Sequence, residues 1–179
     1  MTLGQLFDSF TRTAFRYESL PAYDVGGEEA DRLLAWRRGE PRPERSVRTS
    51  TWLARIAVTT AAGKNWTRVS VLDDPLTEYQ RFSLLAYVES QAAGDQMLVI
   101  RRGAVPPEAR DLPDFWLFDH ETTSAQTALM RYTADGAFTG FELVSNTAEL
   151  RRLITARAEL IRLACPLNVL LATQDRGRA

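Results

Sequence analysis

The chain has 179 residues, of which 45% are hydrophobic and 25% charged, and it contains one cysteine and one histidine. This length and composition predict a single globular domain over residues 1–174 with a frayed tail over 175–179, and they exclude an intrachain disulfide or a cysteine–histidine metal cluster. The 22 basic and 23 acidic side chains give a formal net charge of −1, which argues against general nucleic-acid binding because that affinity comes from neutralising phosphates.

The sequence also predicts that the protein does not associate with membranes. No stretch approaches the roughly 20 apolar residues that a membrane-spanning helix needs. The N-terminal residues show no basic region followed by an apolar run, which a signal peptide would have. We therefore expect a cytoplasmic location.

Three helices are predicted at the start of the chain. The first covers residues 3–18, a second short helix ends near Gly39, and a third runs from the cap Ser50 to Gly63. The apolar residues that predict the first helix fall at helical spacing: Leu3, Leu6, Phe7, Phe10, Ala14 and Tyr17.

The apolar period then changes from 3.6 residues to two, which indicates strands. A strand is predicted over 67–72, a helix over 79–94 and a second strand over 97–100. The three prolines within 103–113 predict a loop. These elements alternate between strand and helix, so they are expected to build one sheet with helices on its faces.

The second half of the chain predicts the centre of the sheet and an antiparallel meander. Residues 115–118 form an uninterrupted apolar run, which is typical of a strand buried on both faces. Asp135-Gly136 predicts a hairpin between residues 127–132 and 138–144. A last long helix begins at Asn146 and is stopped by Pro166. The predicted fold class is α+β, with about five strands in a mixed sheet flanked by helices.

Acidic residues at strand ends are the best candidates for chemistry. Asp119, His120 and Glu121 follow the apolar strand, and strand alternation would place the two carboxylates on one side. Asp74 follows the strand over 67–72 and could join them at a divalent cation. The alternative is structural, because polar residues also end buried strands and an aspartate such as Asp74 or its neighbour Asp73 is a common helix cap.

Several phrases of the sequence are together typical of one family. They are residues 14–18 (AFRYE), 67–71 (TRVSV), 75–82 (PLTEYQRF), 114–119 (DFWLFD) and 135–144 (DGAFTGFELV). On these phrases the chain resembles, from about residue 5 to 170, an actinobacterial family of unassigned function that is often encoded beside helix-turn-helix regulators of the xenobiotic-response type. The resemblance implies a bacterial protein in a regulatory setting, and it carries over no catalytic residues.

The order of elements also resembles half of a phospholipase D fold. That fold uses a catalytic His-x-Lys, and no lysine stands two residues after His120. Members of the first family commonly carry Asp-Asp or Asp-Glu where this chain has Asp119-His120, which argues against an essential role for the histidine.

We therefore expect a non-enzymatic regulatory or accessory domain that binds a protein partner or a small ligand, with a helix-turn-helix regulator as one possible partner. No cofactor and no metal ion are predicted for this function. The alternative is a metal-dependent enzyme that acts on a phosphorylated or nucleotide substrate through Asp119, Glu121 and Asp74.

Overall fold

The computed structural model describes residues 1–176, with side chains described up to Thr173. Seven strands form one open, mixed sheet in the order β6-β5-β4-β1-β2-β3-β7. The strands are β1 (Thr13–Glu18), β2 (Asn65–Leu72), β3 (Asp95–Arg101), β4 (Phe115–Phe118), β5 (Gln126–Tyr132), β6 (Phe138–Leu143) and β7 (Cys165–Pro166). The helices are α1 (Leu3–Ser9), α2 (Gly27–Arg37), α3 (Thr51–Ala61), α4 (Glu78–Ala92), α5 (Pro107–Arg110), α6 (Thr147–Leu163) and α7 (Leu167–Arg176). The α+β class is confirmed, whereas the expected count of five strands is wrong.

The sheet combines a parallel half with an antiparallel half. Strands β1, β2 and β3 are parallel to one another. On the other side of β1, strands β4, β5 and β6 form the predicted antiparallel meander. Strand β4 is buried along its whole length and lies inside the sheet, which confirms the interpretation of its apolar run.

The first predicted helix is wrong in its second half. Helix α1 ends at Ser9, and residues 13–18 form the strand β1 instead. Ala14 and Tyr17 fit the helical spacing of the earlier apolar residues, but in β1 they point to opposite faces of the sheet. A strand is favoured there because its backbone bonds are completed by β2 on one side and β4 on the other.

The C-terminal part contains a short strand and a further helix after α6. Helix α6 ends at Leu163, before Pro166 as predicted. After the cap Ala164, residues Cys165 and Pro166 pair with Val99 and Leu98 as strand β7, and α7 follows at once. Helix α7 includes residues 175 and 176 of the predicted frayed tail, and residues 177–179 of that tail lie outside the described part of the chain.

The caps and loops follow the sequence signals closely. Ser50 accepts a hydrogen bond from the amide of Leu53, and Asn146 accepts from Ala148 and Glu149. The predicted loop over 103–113 contains only a 3-10 turn at Arg102–Ala104 and the single turn of α5.

One face of the sheet, which we call the apolar face, forms the larger hydrophobic core. Helix α6 covers it through Leu153, Ala156 and Leu160, all of which are fully buried. The strand residues of the apolar face include Phe15, Tyr17, Val69, Val71, Leu98, Ile100, Phe115 and Leu117.

The opposite face, which we call the polar face, has two apolar clusters separated by charged residues. Helices α1 and α3 cover the first cluster around Trp66 and Phe118, and helices α4 and α7 cover the second around Met97 and Val99. Between the two clusters lie the buried side chains of Arg16, Arg68 and Glu18, which the helices leave partly uncovered. Buried charges need specific partners. The candidate functional site therefore lies here, where these charges border a partly uncovered space.

No helix within residues 1–176 is both long and apolar enough to cross a membrane.

Candidate ligand-binding cavity

The centre of the polar face is a row of residues set by the strand register. Arg16 of β1 lies opposite Arg68 of β2 on one side and opposite Trp116 of β4 on the other. Both guanidinium groups lie over the Trp116 ring, with Cζ 5.5 Å and 5.7 Å from the ring centroid. Two like charges on neighbouring strands repel each other, so this row requires acidic partners.

Glu18 is the carboxylate that joins the two arginines. Its Oε1 accepts from Nε of Arg16 at 3.4 Å and from Nη1 of Arg68. Its Oε2 accepts from the hydroxyls of Ser70 and Tyr87, at 2.9 Å and 3.1 Å. Both carboxylate oxygens therefore already accept two hydrogen bonds each.

Asp114 is the second counter-charge, and it approaches Arg16 from the segment before β4. Its Oδ2 accepts from Nη2 of Arg16 at 3.0 Å and from the Tyr23 hydroxyl at 2.5 Å. Its Oδ1 accepts from the amide and the hydroxyl of Ser19, at 2.7 Å and 2.8 Å. Asp95 completes the set, with a carboxylate oxygen 3.5 Å from Nε of Arg68.

These contacts fix the protonation states in the row. Burial by itself would raise the pKa of Glu18, but Arg68 and Arg16 outweigh it and hold that pKa below its ordinary value. Burial would lower the pKa of Arg16, yet Asp114 and Glu18 raise it. Burial raises the pKa of Asp95, against the opposing effect of Arg68. The row therefore holds two guanidinium cations and at least one fully ionised carboxylate between them.

Two donors in this row are not satisfied. Nη1 of Arg16 is buried and has no hydrogen-bond partner among the described residues. Nε of Arg68 is in the same position, since its 3.5 Å contact with Asp95 is not a hydrogen bond. A buried guanidinium N–H without an acceptor is unfavourable, so the row has unused capacity to donate, whereas Glu18 and Asp114 have little capacity left to accept.

A cavity of about 510 Å³ lies above this row. We call Arg16, Arg68, Glu18 and Trp116 its floor. One wall comes from α4, and it includes Tyr79, Phe82 and Tyr87; the opposite wall comes from α1 and α3. Aromatic rings thus surround the cavity, and those of the second wall are Phe7 and Trp52, whose centroids are 5.0 Å apart.

The rim of the cavity is formed where the β5–β6 hairpin meets the segment after β1. Tyr23 packs against Tyr132 with ring centroids 5.3 Å apart, and the amide of Asp24 donates to the carbonyl of Gly136. Gly136 has a φ of 89°, and a Cβ there would lie 2.7 Å from the carbonyl oxygen of Ala22. Only glycine therefore allows this close approach.

The structure places Asp119 in a different role from the predicted one. Its carboxylate accepts hydrogen bonds from the amides of Thr11, Arg12 and Thr13, at 2.7–3.0 Å, and also from the Thr11 hydroxyl. Burial would raise the pKa of Asp119, but these backbone donors outweigh it and lower that pKa. The carboxylate holds the chain entering β1 in place, and its lone pairs are occupied.

The other two predicted residues do not join Asp119. The chain turns at Asp119 with a φ of 49°, so strand alternation stops, and the Glu121 side chain lies 63% exposed beside His120. Asp74 follows the end of β2, which runs parallel to β1. Asp119 follows the end of β4, which runs antiparallel to β1. The two aspartates therefore lie at opposite ends of the sheet, which corrects the expectation that they face each other.

Among the side chains that the structure describes, residues 1–173, no group of three or more histidine, cysteine, aspartate or glutamate residues has the arrangement of a metal site. A catalytic role for Asp119, Glu121 or Asp74 stays a prediction.

The residues of the floor were not recognised as a site from the sequence, although a signal for them exists. Arg16 and Glu18 alternate with Phe15 and Tyr17 in one strand, and that strand is flanked by apolar strands. A charged residue in an interior strand has to be buried, and a buried charge has to be paired. The acidic partner Asp114 gives no such signal, because it stands 98 residues away from Arg16.

Comparison with known proteins identifies a family for nearly the whole chain. A family model described as a domain of unknown function, DUF6879, matches residues 1–171. A search of curated proteins and a search of solved structures each found no match. The likeness to half of a phospholipase D fold therefore stays a prediction.

Proposed function

Since the chain belongs to the DUF6879 family, whose function is unknown, we propose from the geometry of the cavity that it is a small-molecule-binding domain. The observation that carries this proposal is the cavity of about 510 Å³ over a floor in which Nη1 of the buried Arg16 guanidinium has no acceptor among the described residues. Ligand cavities of several hundred Å³ with aromatic walls and a few convergent polar groups are the usual form of small-molecule sites.

The structure of the floor also supports binding rather than catalysis. Each carboxylate oxygen of Glu18 and Asp114 accepts two hydrogen bonds, which makes the floor and the residues behind it rigid. A rigid floor binds a ligand at a low entropic cost. The carboxylates are also engaged with guanidinium groups and hydroxyls, so neither is free to take a proton from a substrate.

The resemblance described above supports a bacterial, cytoplasmic and regulatory setting as part of this proposal. A domain that binds a small ligand and a helix-turn-helix regulator would report the presence of the ligand to that regulator. The metal-dependent alternative at Asp119, Glu121 and Asp74 is not favoured by an observation, since the described part of the chain holds Asp74 and Asp119 at opposite ends of the sheet.

The cavity can be tested by filling it. Ala86 of α4 lines the cavity, and Ala86→Phe would place a ring inside it without touching the charged floor. Val88 is on the same helix but is 46% exposed, so Val88→Phe is the matched control. Each protein would be incubated with the small-molecule fraction of a cell extract and examined by native mass spectrometry.

We expect one or a few adducts on wild type and on Val88→Phe, and their loss from Ala86→Phe. The proposal is overturned if no adduct forms on any of the three proteins, or if the adducts persist unchanged when the cavity is filled.

A further inference from the structure

The charges around the cavity balance one another. Four arginines line it, namely Arg16, Arg32, Arg45 and Arg68, and four carboxylates line it, namely Glu18, Asp24, Glu28 and Glu29. Asp114 and Asp95 lie behind the floor and add further negative charge. The cavity therefore has no excess of positive charge that would offset the desolvation of an anionic ligand.

The two lining arginines outside the floor, Arg32 and Arg45, are already engaged. Arg32 donates to both carboxylate oxygens of Glu89, at 2.6 Å and 2.7 Å, and also to the carbonyl of Pro43. Arg45 donates to the carbonyl of Ala86 and approaches Glu89 at 3.4 Å. These contacts turn the guanidinium groups toward protein acceptors, so the donors left without a partner are those of the floor.

The rim adds a second argument against an anion. Asp24, Glu28 and Glu29 are exposed and line the opening. A negatively charged molecule would have to pass these carboxylates, which repel it, before it reached the floor. A neutral molecule meets no such barrier.

The walls and the floor together define the remaining chemistry. Aromatic side chains on two sides favour a flat ring, which stacks against them or meets them edge to face. The free N–H groups of Arg16 require an acceptor, and the acceptors of Glu18 and Asp114 are filled. The ligand should thus accept hydrogen bonds at one end and present an aromatic body to the walls.

We infer that the ligand is a neutral aromatic or heteroaromatic molecule that carries a carbonyl-type acceptor, with the acceptor bound at Arg16. This inference rests on the proposed small-molecule function and deepens it. It assigns Arg16 as the residue that reads the acceptor, and Trp116, which lies beneath both guanidiniums, as the residue that holds the floor in place.

Three probes with the same ring test this class. Indole-3-carboxamide is neutral and has a carbonyl acceptor, indole-3-carboxylate has the acceptor and a negative charge, and 3-methylindole has no acceptor. Their dissociation constants would be measured by NMR titration of the tryptophan indole N–H signals. We expect the carboxamide to bind about tenfold more tightly than either of the others, which corresponds to about 1.4 kcal/mol.

A variant then tests the role of Arg16. Arg16→Lys keeps the positive charge but removes the planar group with its free N–H pair. We expect it to reduce the carboxamide's advantage over 3-methylindole to about twofold or less. The ranking on wild type needs no variant, so the test stands even if Arg16→Lys does not fold.

The outcomes separate this inference from the function on which it rests. Tighter binding of the carboxylate, or equal binding of all three probes, would overturn the neutral-acceptor class while leaving a small-molecule site in place. The same holds if no probe binds but the extract experiment still yields adducts that Ala86→Phe removes. Absence of both probe binding and adducts would overturn the function itself.

Discussion

The two faces of the sheet bury different kinds of side chain. On the apolar face, side chains such as Phe115 and Leu153 are fully buried against one another, and the buried hydroxyl of Tyr17 donates to the carbonyl of Ala109 at 3.3 Å. Burial, with Asp114 as the second cause, raises the pKa of Tyr17 to about 12. The polar face instead buries two arginines and their carboxylates beneath a cavity.

The difference indicates which face is present for stability and which for binding. Apolar packing contributes stability in proportion to the area removed from water. A buried ion pair contributes little net stability, because desolvation offsets its attraction, yet removal of one partner is strongly destabilising. We therefore interpret the apolar face as the stabilising core and the polar face as a site whose charges are kept for recognition.

The largest expected loss of stability comes from removing the partner of a buried charge on the polar face. Asp114→Ala removes the carboxylate that receives Arg16, Tyr23 and Ser19, so we expect a loss of about 3–5 kcal/mol in the free energy of unfolding. Urea denaturation measures it. The control is Glu142→Ala, which breaks the exposed pair with Arg131 and should cost less than about 1 kcal/mol.

A double variant sharpens this result. Adding Arg16→Met to Asp114→Ala removes the guanidinium that lost its partner. The double variant should therefore lose less stability than the two single changes together, by about 0.5–3 kcal/mol. Simple additivity would show that the two residues are not coupled and that the contrast between the faces is wrong.

A substitution on the apolar face gives a reference value for the loss of stability. Leu153→Ala leaves a cavity between α6 and the sheet, and we expect a cost of about 2–5 kcal/mol. Leu163→Ala, at a 40% exposed position of the same helix, should change stability by no more than about 0.5 kcal/mol. Both variants should retain the same small-molecule adducts as wild type, because neither residue lines the cavity; loss of the adducts in Leu153→Ala would break the division between the faces.

Asp119 provides a carboxylate that belongs to neither face and is held by backbone amides. Asn tolerates the positive φ of this position, so Asp119→Asn isolates the charge, and we expect a loss of about 1.5–3 kcal/mol near neutral pH. The pKa of Asp119 is lowered in the folded state, so its stabilisation is fully present above the unfolded pKa of about 3.9 and disappears as the pH falls through the folded pKa.

Urea denaturation of wild type and Asp119→Asn at several pH values checks this dependence. The difference between the two proteins should shrink as the solution becomes acidic below about pH 3.9. A difference that stays constant across the acidic range would mean that the carboxylate contributes through its shape and not through its charge.

The smallest expected difference between a variant and its control is at the rim. Gly136→Ala introduces a Cβ against the backbone of Ala22 at a positive φ, whereas Gly63→Ala has a similar φ of 86° and no atom within 4 Å of the added Cβ. Both changes carry backbone strain of about 1–3 kcal/mol, and Gly136→Ala should cost about 1 kcal/mol more because of the clash. Only Gly136→Ala should also weaken small-molecule binding; equal effects would mean that the rim does not shape the cavity.

The sequence predicts the elements whose signals are local. The apolar run 115–118 and the Asp135-Gly136 turn specify strand β4 and the hairpin without knowledge of distant residues. Strand β1 was missed because Ala14 and Tyr17 also fit a helical period, and only the pairing with β2 and β4 decides between the two. Strand β7 was missed because two residues are too few to form a pattern.

The candidate site was harder to predict for the same reason. Arg16 donates hydrogen bonds to Asp114 and Tyr132, which are 98 and 116 residues away in the chain. No spacing pattern in the sequence predicts contacts over such distances. The acidic residues at strand ends were conspicuous because they are neighbours in the chain. Their direction in space depended on β4 running antiparallel to β1, which the sequence pattern does not specify.

The position of β1 in the middle of the sheet has a consequence for how the protein is made. A ribosome synthesises Arg16 before its second counter-charge, Asp114, and before the strand β4 that covers one edge of β1. A nascent chain that ends before residue 114 can pair β1 with β2 and β2 with β3, yet its two buried guanidinium groups then share Glu18 without the help of Asp114. We therefore expect the central part of the sheet to be complete only after β5 has left the ribosome. Fragments truncated before that point should not assemble the cavity.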